Sequence, residues 1–224
     1  MTSPFNKNDR ELLALIAGYK ALTVKQLSAL SQRSGQVIRR RIRDFEEEGL
    51  IIIKMQGYGR GQGRPEDLIF LAEKGKAALM NEGIASGQDF CAPDKGEDFF
   101  SIDHLLLVNW FRIHLLQIEK AILQISVHYL SPNSPSLAAN SGDSPSFSER
   151  IPADGKMGKF VEFIPDGVFS ITYKEVEKEI LLFFLEVDRG TETIASVDRG
   201  HKDIRQKVLN YQALFRSGTY KRYE

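Results

Sequence analysis

Hydrophobic positions recur at helical spacing through most of the first eighty residues, with two short continuous apolar runs among them. Leu12, Leu13, Ile16 and Ala17 lie on one face of a helix that runs from an N-cap at Asp9 through Tyr19. Thr23 caps a second helix over Val24 to Leu30, and the polar break Ser31 to Gly35 follows. A third helix runs from about Ser34 to Glu48 and stops at Gly49, a residue suited to a left-handed terminus. Leu50 to Met55 reads as a strand, 56–64 as a glycine-rich basic tip, Pro65 to Leu71 as the returning strand, and Ala72 to Met80 as a further helix. Three helices, a tight turn between the second and third, and a basic hairpin form the outline of a winged helix-turn-helix. The fold class expected is therefore α+β, with this domain spanning residues 1–80.

Beyond it the pattern loosens. Residues 81–98 are rich in Gly, Asp and small side chains and read as a linker. Ser101 to Ile118 is a helix apolar over most of its circumference, which implies burial on several sides, either between two halves or in a two-fold dimer seam. His104 and His114, ten residues apart on it, are spaced for packing or capping and not for a one-turn metal pair. Residues 130–148 form an almost uncharged Ser, Pro, Asn and Gly tract, expected as a flexible insertion. The last segment contains strand Phe160 to Ile164, strand Val168 to Tyr173, a turn, and strand Glu179 to Val187 pairing back as a hairpin. A helix from about Ser196 or Asp198 to Phe215 closes it, a thin sheet for an α/β module over 99–224.

Composition narrows the class without deciding it. The 224 residues carry 30 basic and 30 acidic side chains, so any attraction to nucleic acid or anionic lipid must be local. A single cysteine, Cys91, excludes an internal disulfide framework and suits a reducing cytoplasm. No signal peptide is expected, because the chain is polar up to Leu12. The most apolar stretch, Leu105 to Ile125, is interrupted by Arg112, Glu119 and Lys120 and does not read as a membrane span.

The local charge lies on the third helix. At about 100° per residue, Ile38, Ile42 and Phe45 share one side while Gln36, Arg39, Arg40 and Arg43 share the other. Five arginines occur between Arg33 and Arg43 before the first acid, Asp44. A guanidinium fork suits phosphate oxygens and guanine edges, so double-stranded DNA is the expected partner, with Arg60 and Arg64 on the wing reaching the adjacent backbone. The alternative is a solvated basic face, or a winged helix used for protein contacts. The glycine-rich tip is no phosphate-binding loop, since no Gly-Lys-Ser/Thr follows.

A second constellation is acidic. Asp166 follows Pro165 at a strand end, and Glu186 and Asp188 end the hairpin partner. Carboxylates beside buried strands need a cation or hydrogen bonds. The cluster is thus either a site for Mg²⁺ or Mn²⁺ with Asp166, Glu186 and Asp188 as ligands, or a paired structural network.

Pro165-Asp166 and Glu186-Val187-Asp188 resemble the motif of the PD-(D/E)XK nuclease superfamily. The winged helix, the helix start Ile102-Asp-His104, Phe163 to Phe169, Phe183 to Glu192, and the helix with Lys207 and Tyr211 are together more similar to the replication-relaxation family of plasmid and mobile-element proteins. That resemblance implies a cytoplasmic, DNA-binding accessory protein of replication or relaxation, with replication or relaxosome proteins as partners. Its second half would be a restriction-endonuclease-like module that stops short of the further strands such a sheet would have. Within it Asp166, Glu186, Asp188 and Lys207 would be the catalytic group. The superfamily's lysine is replaced by Asp188, so Lys207, or else Arg189, would supply the ammonium or guanidinium from elsewhere. A metal-dependent endonuclease and a winged-helix transcriptional regulator are the alternative functions.

Overall fold

The computed structural model of the chain describes residues 5–55, 66–84, 99–130, 149–152, 160–175, 180–190, 194–195 and 203–223. The chain divides into two compact units, Met1–His114 and Leu115–Glu224.

The first unit opens with α1 (Lys7–Ala17), α2 (Val24–Ser31) and α3 (Gly35–Glu47). The start of α1 differs from expectation. Asn6 is the N-cap, its side chain accepting from Asp9 N, and Asp9 is inside the helix and 4% exposed. Thr23 caps α2 in a reciprocal capping box with Gln26, which satisfies two end donors at once. The turn into α3 passes through Gln32 at φ 57, a left-handed position that a non-glycine residue adopts at some cost. Ser34 caps α3, and the chain leaves it through Gly49 at φ +71.

Strands β1 (Ile51–Lys54) and β2 (Leu68–Leu71) pair antiparallel, Ile51 opposite Leu71 and Lys54 opposite Leu68. Leu22 adds a single antiparallel bridge to Ile69, so the hairpin lies against the segment between α1 and α2. Helices followed by this hairpin make the winged helix-turn-helix that the spacing predicts. The tip at 56–65 lies outside the described residues. Unlike a half-buried strand, β2 is buried at all four positions. Ile69 and Leu71 join the main core with Leu12, Leu13, Ile16, Leu27, Ile38 and Phe45, while Leu68 and Phe70 pack with Ala21 and Ile102.

Ile102 belongs to α5 (Phe99–Ala121), which follows α4 (Glu73–Asn81). The division between the units falls inside α5, at His114. Up to that point α5 packs on the winged helix: Asn109 Nδ2 donates to Ala21 O at 2.7 Å and Gln26 Nε2 to Leu106 O at 2.9 Å. Arg112 stacks over Tyr19 at 4.2 Å, and Ile113 is wholly buried in the main core. This accounts for one face of the helix, while Leu107 and Ile118 on other sides are 44% and 45% exposed. His114 stacks on Trp110 with ring centroids 5.5 Å apart, in keeping with a packing role. The greater part of the expected linker at 81–98, with Cys91, lies outside the described residues.

The second unit holds a three-stranded antiparallel sheet in the order β3 (Ile125–Leu130), β6 (Gly167–Tyr173), β7 (Ile180–Leu185), and a separate pair, β4 (Glu149–Pro152) with β5 (Phe160–Phe163). The hairpin β6–β7 matches the sequence reading, with Phe169 opposite Phe183 and Val168 opposite Phe184. Strands β3 and β4 are additions to that reading. Helix α6 (Ile204–Ser217) begins later than expected, at an Asp203 cap, and 196–202 lie outside the described residues. The final 3-10 turn, Thr219–Tyr223, brings Tyr223 back. Phe184 is the centre of an aromatic group, 5.7 Å from the rings of Tyr211 and Phe215 and 5.5 Å from Tyr223. The insertion expected at 130–148 lies outside the described residues from 131 onward. No described helix is long and apolar enough to cross a membrane.

Candidate nucleic-acid interface and carboxylate network

Helix α3 is fixed from within. Ile38, Ile42 and Phe45 are 0%, 3% and 0% exposed, so the helix cannot roll without uncovering all three. Its carboxyl end is held as well, because Lys74 Nζ donates to Glu48 O at 2.7 Å. With the inner face anchored, Gln36, Arg39, Arg40 and Arg43 all fall on exposed positions. Arg39 lies back over the first turn, its Nη1 3.5 Å from where a Cβ on Gly35 would be. Val37, 43% exposed, lies on the flank of the helix, about 110° around from the centre of the face that carries Gln36, Arg39, Arg40 and Arg43, at about 100° per residue.

The five arginines separate into two sets. Arg33 Nη2 is 2.6 Å from Glu11 Oε2 and 3.0 Å from Asn8 Oδ1. Arg41 forks onto Asp9, with Nε to Oδ1 at 2.5 Å and Nη2 to Oδ2 at 2.8 Å, and its Nη1 reaches Asp44 Oδ2 at 2.7 Å. These bonds hold the Arg41 guanidinium charged even more firmly than usual, the Asp9 hydrogen bond contributing most. Arg39, Arg40 and Arg43 have no ion pair with another described residue. The outer face of α3 therefore presents three guanidinium groups without an ion-pair partner among the described residues, in a molecule of zero net charge. Arg60 and Arg64 lie outside the described residues.

The acidic residues are distributed otherwise than a three-ligand site requires. Asp166 extends the β6–β7 ladder: its N donates to Leu185 O at 3.0 Å and its Oδ2 accepts from Val187 N at 2.7 Å. Glu186 faces α6, where its Oε1 accepts from the Tyr211 hydroxyl at 2.6 Å and its Oε2 lies 3.1 Å from Lys207 Nζ. Lys207 and Tyr211 are one turn apart on that helix, so one face presents both groups to the carboxylate. Burial pushes the Tyr211 phenol well above its ordinary value, helped by the bond to Glu186 and by the charges of Glu186 and Asp166. Asp188 is exposed, and its Oδ1 accepts from Gly190 N at 3.0 Å in a local turn.

Asp166, Glu186, Lys207 and Tyr211 thus share one neighbourhood, and Asp188 is engaged elsewhere. A Mg²⁺ or Mn²⁺ ion needs several oxygens in near-octahedral array. Both Glu186 oxygens are already taken by an ammonium and a phenol. Among the described residues no group of three or more His, Cys, Asp or Glu is placed to hold a metal ion. These residues do not fit the metal that the motif suggests. Tyr211 is the partner that motif spacing understated; its position four residues after Lys207 was the available signal.

A sequence profile described as replication-relaxation matches residues 13–224. No curated protein matches the chain by sequence. Among solved structures, the S. aureus MepR–DNA complex is 15% identical, with 52% of this chain and 80% of that chain covered and a TM-score of 0.31. A MarR family transcriptional regulator from Silicibacter pomeroyi is 17% identical over 51% of this chain and 71% of its own, with a TM-score of 0.31. RV1404 from Mycobacterium tuberculosis is 14% identical over 53% and 74%, with a TM-score of 0.30.

Proposed function

Because this chain belongs to the replication-relaxation family, we propose that it is a DNA-binding accessory protein of plasmid or mobile-element replication or relaxation, with its first unit gripping duplex DNA. The observation that carries this reading is the division of the arginines. Two are spent on acids of the protein itself, and Arg39, Arg40 and Arg43 stand exposed on one face of α3. Such a helix fits a major groove, where forked donors meet phosphates and guanine edges and Gln36 suits adenine. Arg60 and Arg64 on the wing would add backbone contacts.

The second unit is read as a scaffold related to the restriction-endonuclease-like module, with its carboxylates tied into structure. The pairing of Glu186 with Lys207 and Tyr211 favours that over metal-dependent cleavage. Fluorescence anisotropy with labelled duplexes, including origin-of-replication and transfer sequences, tests the function. The Arg39→Ala/Arg40→Ala variant should lose most of the affinity while melting within a few degrees of the parent. Undiminished binding by that variant would falsify the assignment of α3 as the recognition helix. Occupancy confined to promoters in a genome-wide footprint would move the function to transcriptional regulation.

A further inference from the structure

We infer that Arg41, with Asp9, is a positioning device for the recognition helix: a clamp from α1 that sets the pose of α3 without touching nucleic acid. The inference rests on the DNA-binding reading of α3. Arg41 projects roughly 150° around the helix from the mean direction of Gln36, Arg39, Arg40 and Arg43, by the rotation of about 100° per residue. It points away from any groove those residues enter.

All three of its guanidinium nitrogens are used inside the protein. Nε and Nη2 fork onto the two oxygens of Asp9, Nη1 binds Asp44, and the guanidinium carbon lies 4.8 Å from the centre of the Phe45 ring. The Asp9 side chain is only 5% exposed and that of Arg41 28%, so the pair is largely withdrawn from water. A second seat lies one element earlier, where Arg33 binds Asn8 and Glu11 of the same helix α1.

A largely buried ion pair is a poor way to gain stability, since an apolar pair of similar volume often does as well or better. What a planar fork supplies in addition is one fixed geometry. Binding constellations must be held within about 0.5 Å of the productive pose to work. The main core fixes the depth of α3 through non-directional contacts; the fork on Asp9 adds a directional constraint against sliding and rotation.

The test separates geometry from stability. In the full chain, Asp9→Leu/Arg41→Met replaces the pair with apolar groups, and duplex affinity is followed by anisotropy across a salt series alongside thermal melting. The expected result is a melting temperature within a few degrees of the parent, affinity about tenfold weaker, and an unchanged slope of log K against log salt. Arg41→Lys keeps the charge but loses the fork, and should reproduce the weakening in smaller measure even if the double variant fails to fold. Parental affinity in a folded variant overturns the clamp. So does a shallower slope, which would make Arg41 a phosphate contact itself. A parent protein without affinity for duplex DNA would instead sink the DNA-binding reading on which the clamp stands.

Discussion

Gly75 shows how far a single residue's role departs from its propensity. In an open helix, alanine would improve on glycine by about 1 kcal/mol. At this position a Cβ would lie 2.2 Å from Leu50 O and 2.8 Å from Leu71 Cδ1, so backbone would have to move. Gly75→Ala should therefore destabilise the first unit by about 1–3 kcal/mol, measurable by urea unfolding. Tyr19 offers the opposite sign. Its hydroxyl is buried with no hydrogen-bond partner among the described residues, while its ring carries the stacked Arg112. Tyr19→Phe keeps the ring and removes the unsatisfied group, and should raise stability by about 1 kcal/mol. Neither effect is legible in the sequence, because both depend on which atom the fold brings alongside. The same holds for Asp9, whose residue type suits an N-cap and whose neighbour Asn6 took that role, leaving Asp9 for Arg41.

Elements were legible where one periodicity governed them. The core triad of α3 and its glycine stop follow from spacing alone, as does the pairing of β6 with β7 through two long apolar runs. Strand β3 was hidden because Ile125 continues the apolar pattern of the preceding helix, and only the tertiary partner β6 decides between helix and strand. Strand β4 is four residues long and includes a proline, too short for a period to register. In the acidic cluster the residue types were readable but their partners were not. The Glu186 network makes a prediction about pH. The Tyr211 phenol is raised from its ordinary value of 10.0, so its contribution is complete below that pH and is lost as pH rises through the higher folded value. Unfolding free energy should accordingly fall above pH 10, and Tyr211→Phe should lessen that fall. An identical alkaline profile in the variant would contradict the raised phenol, to which burial contributes most and the bond to Glu186 next. Because the Tyr19 phenol is raised in the same direction by burial, Tyr19→Phe serves as the comparison.

At the scale of the whole molecule, charge is balanced in sum and separated in place. The chain carries equal numbers of acids and bases, yet three arginines on the exposed face of α3 have no ion-pair partner among the described residues. The most direct measurement of that claim is the salt dependence of duplex binding by the parent and by the Arg39→Ala/Arg40→Ala/Arg43→Ala variant. Each arginine that neutralises a phosphate contributes a slope of about −0.9 in log K against log salt. A steep parental slope that becomes shallower by about that amount per phosphate-bound arginine removed is the predicted result, and equal slopes in the two proteins would contradict it.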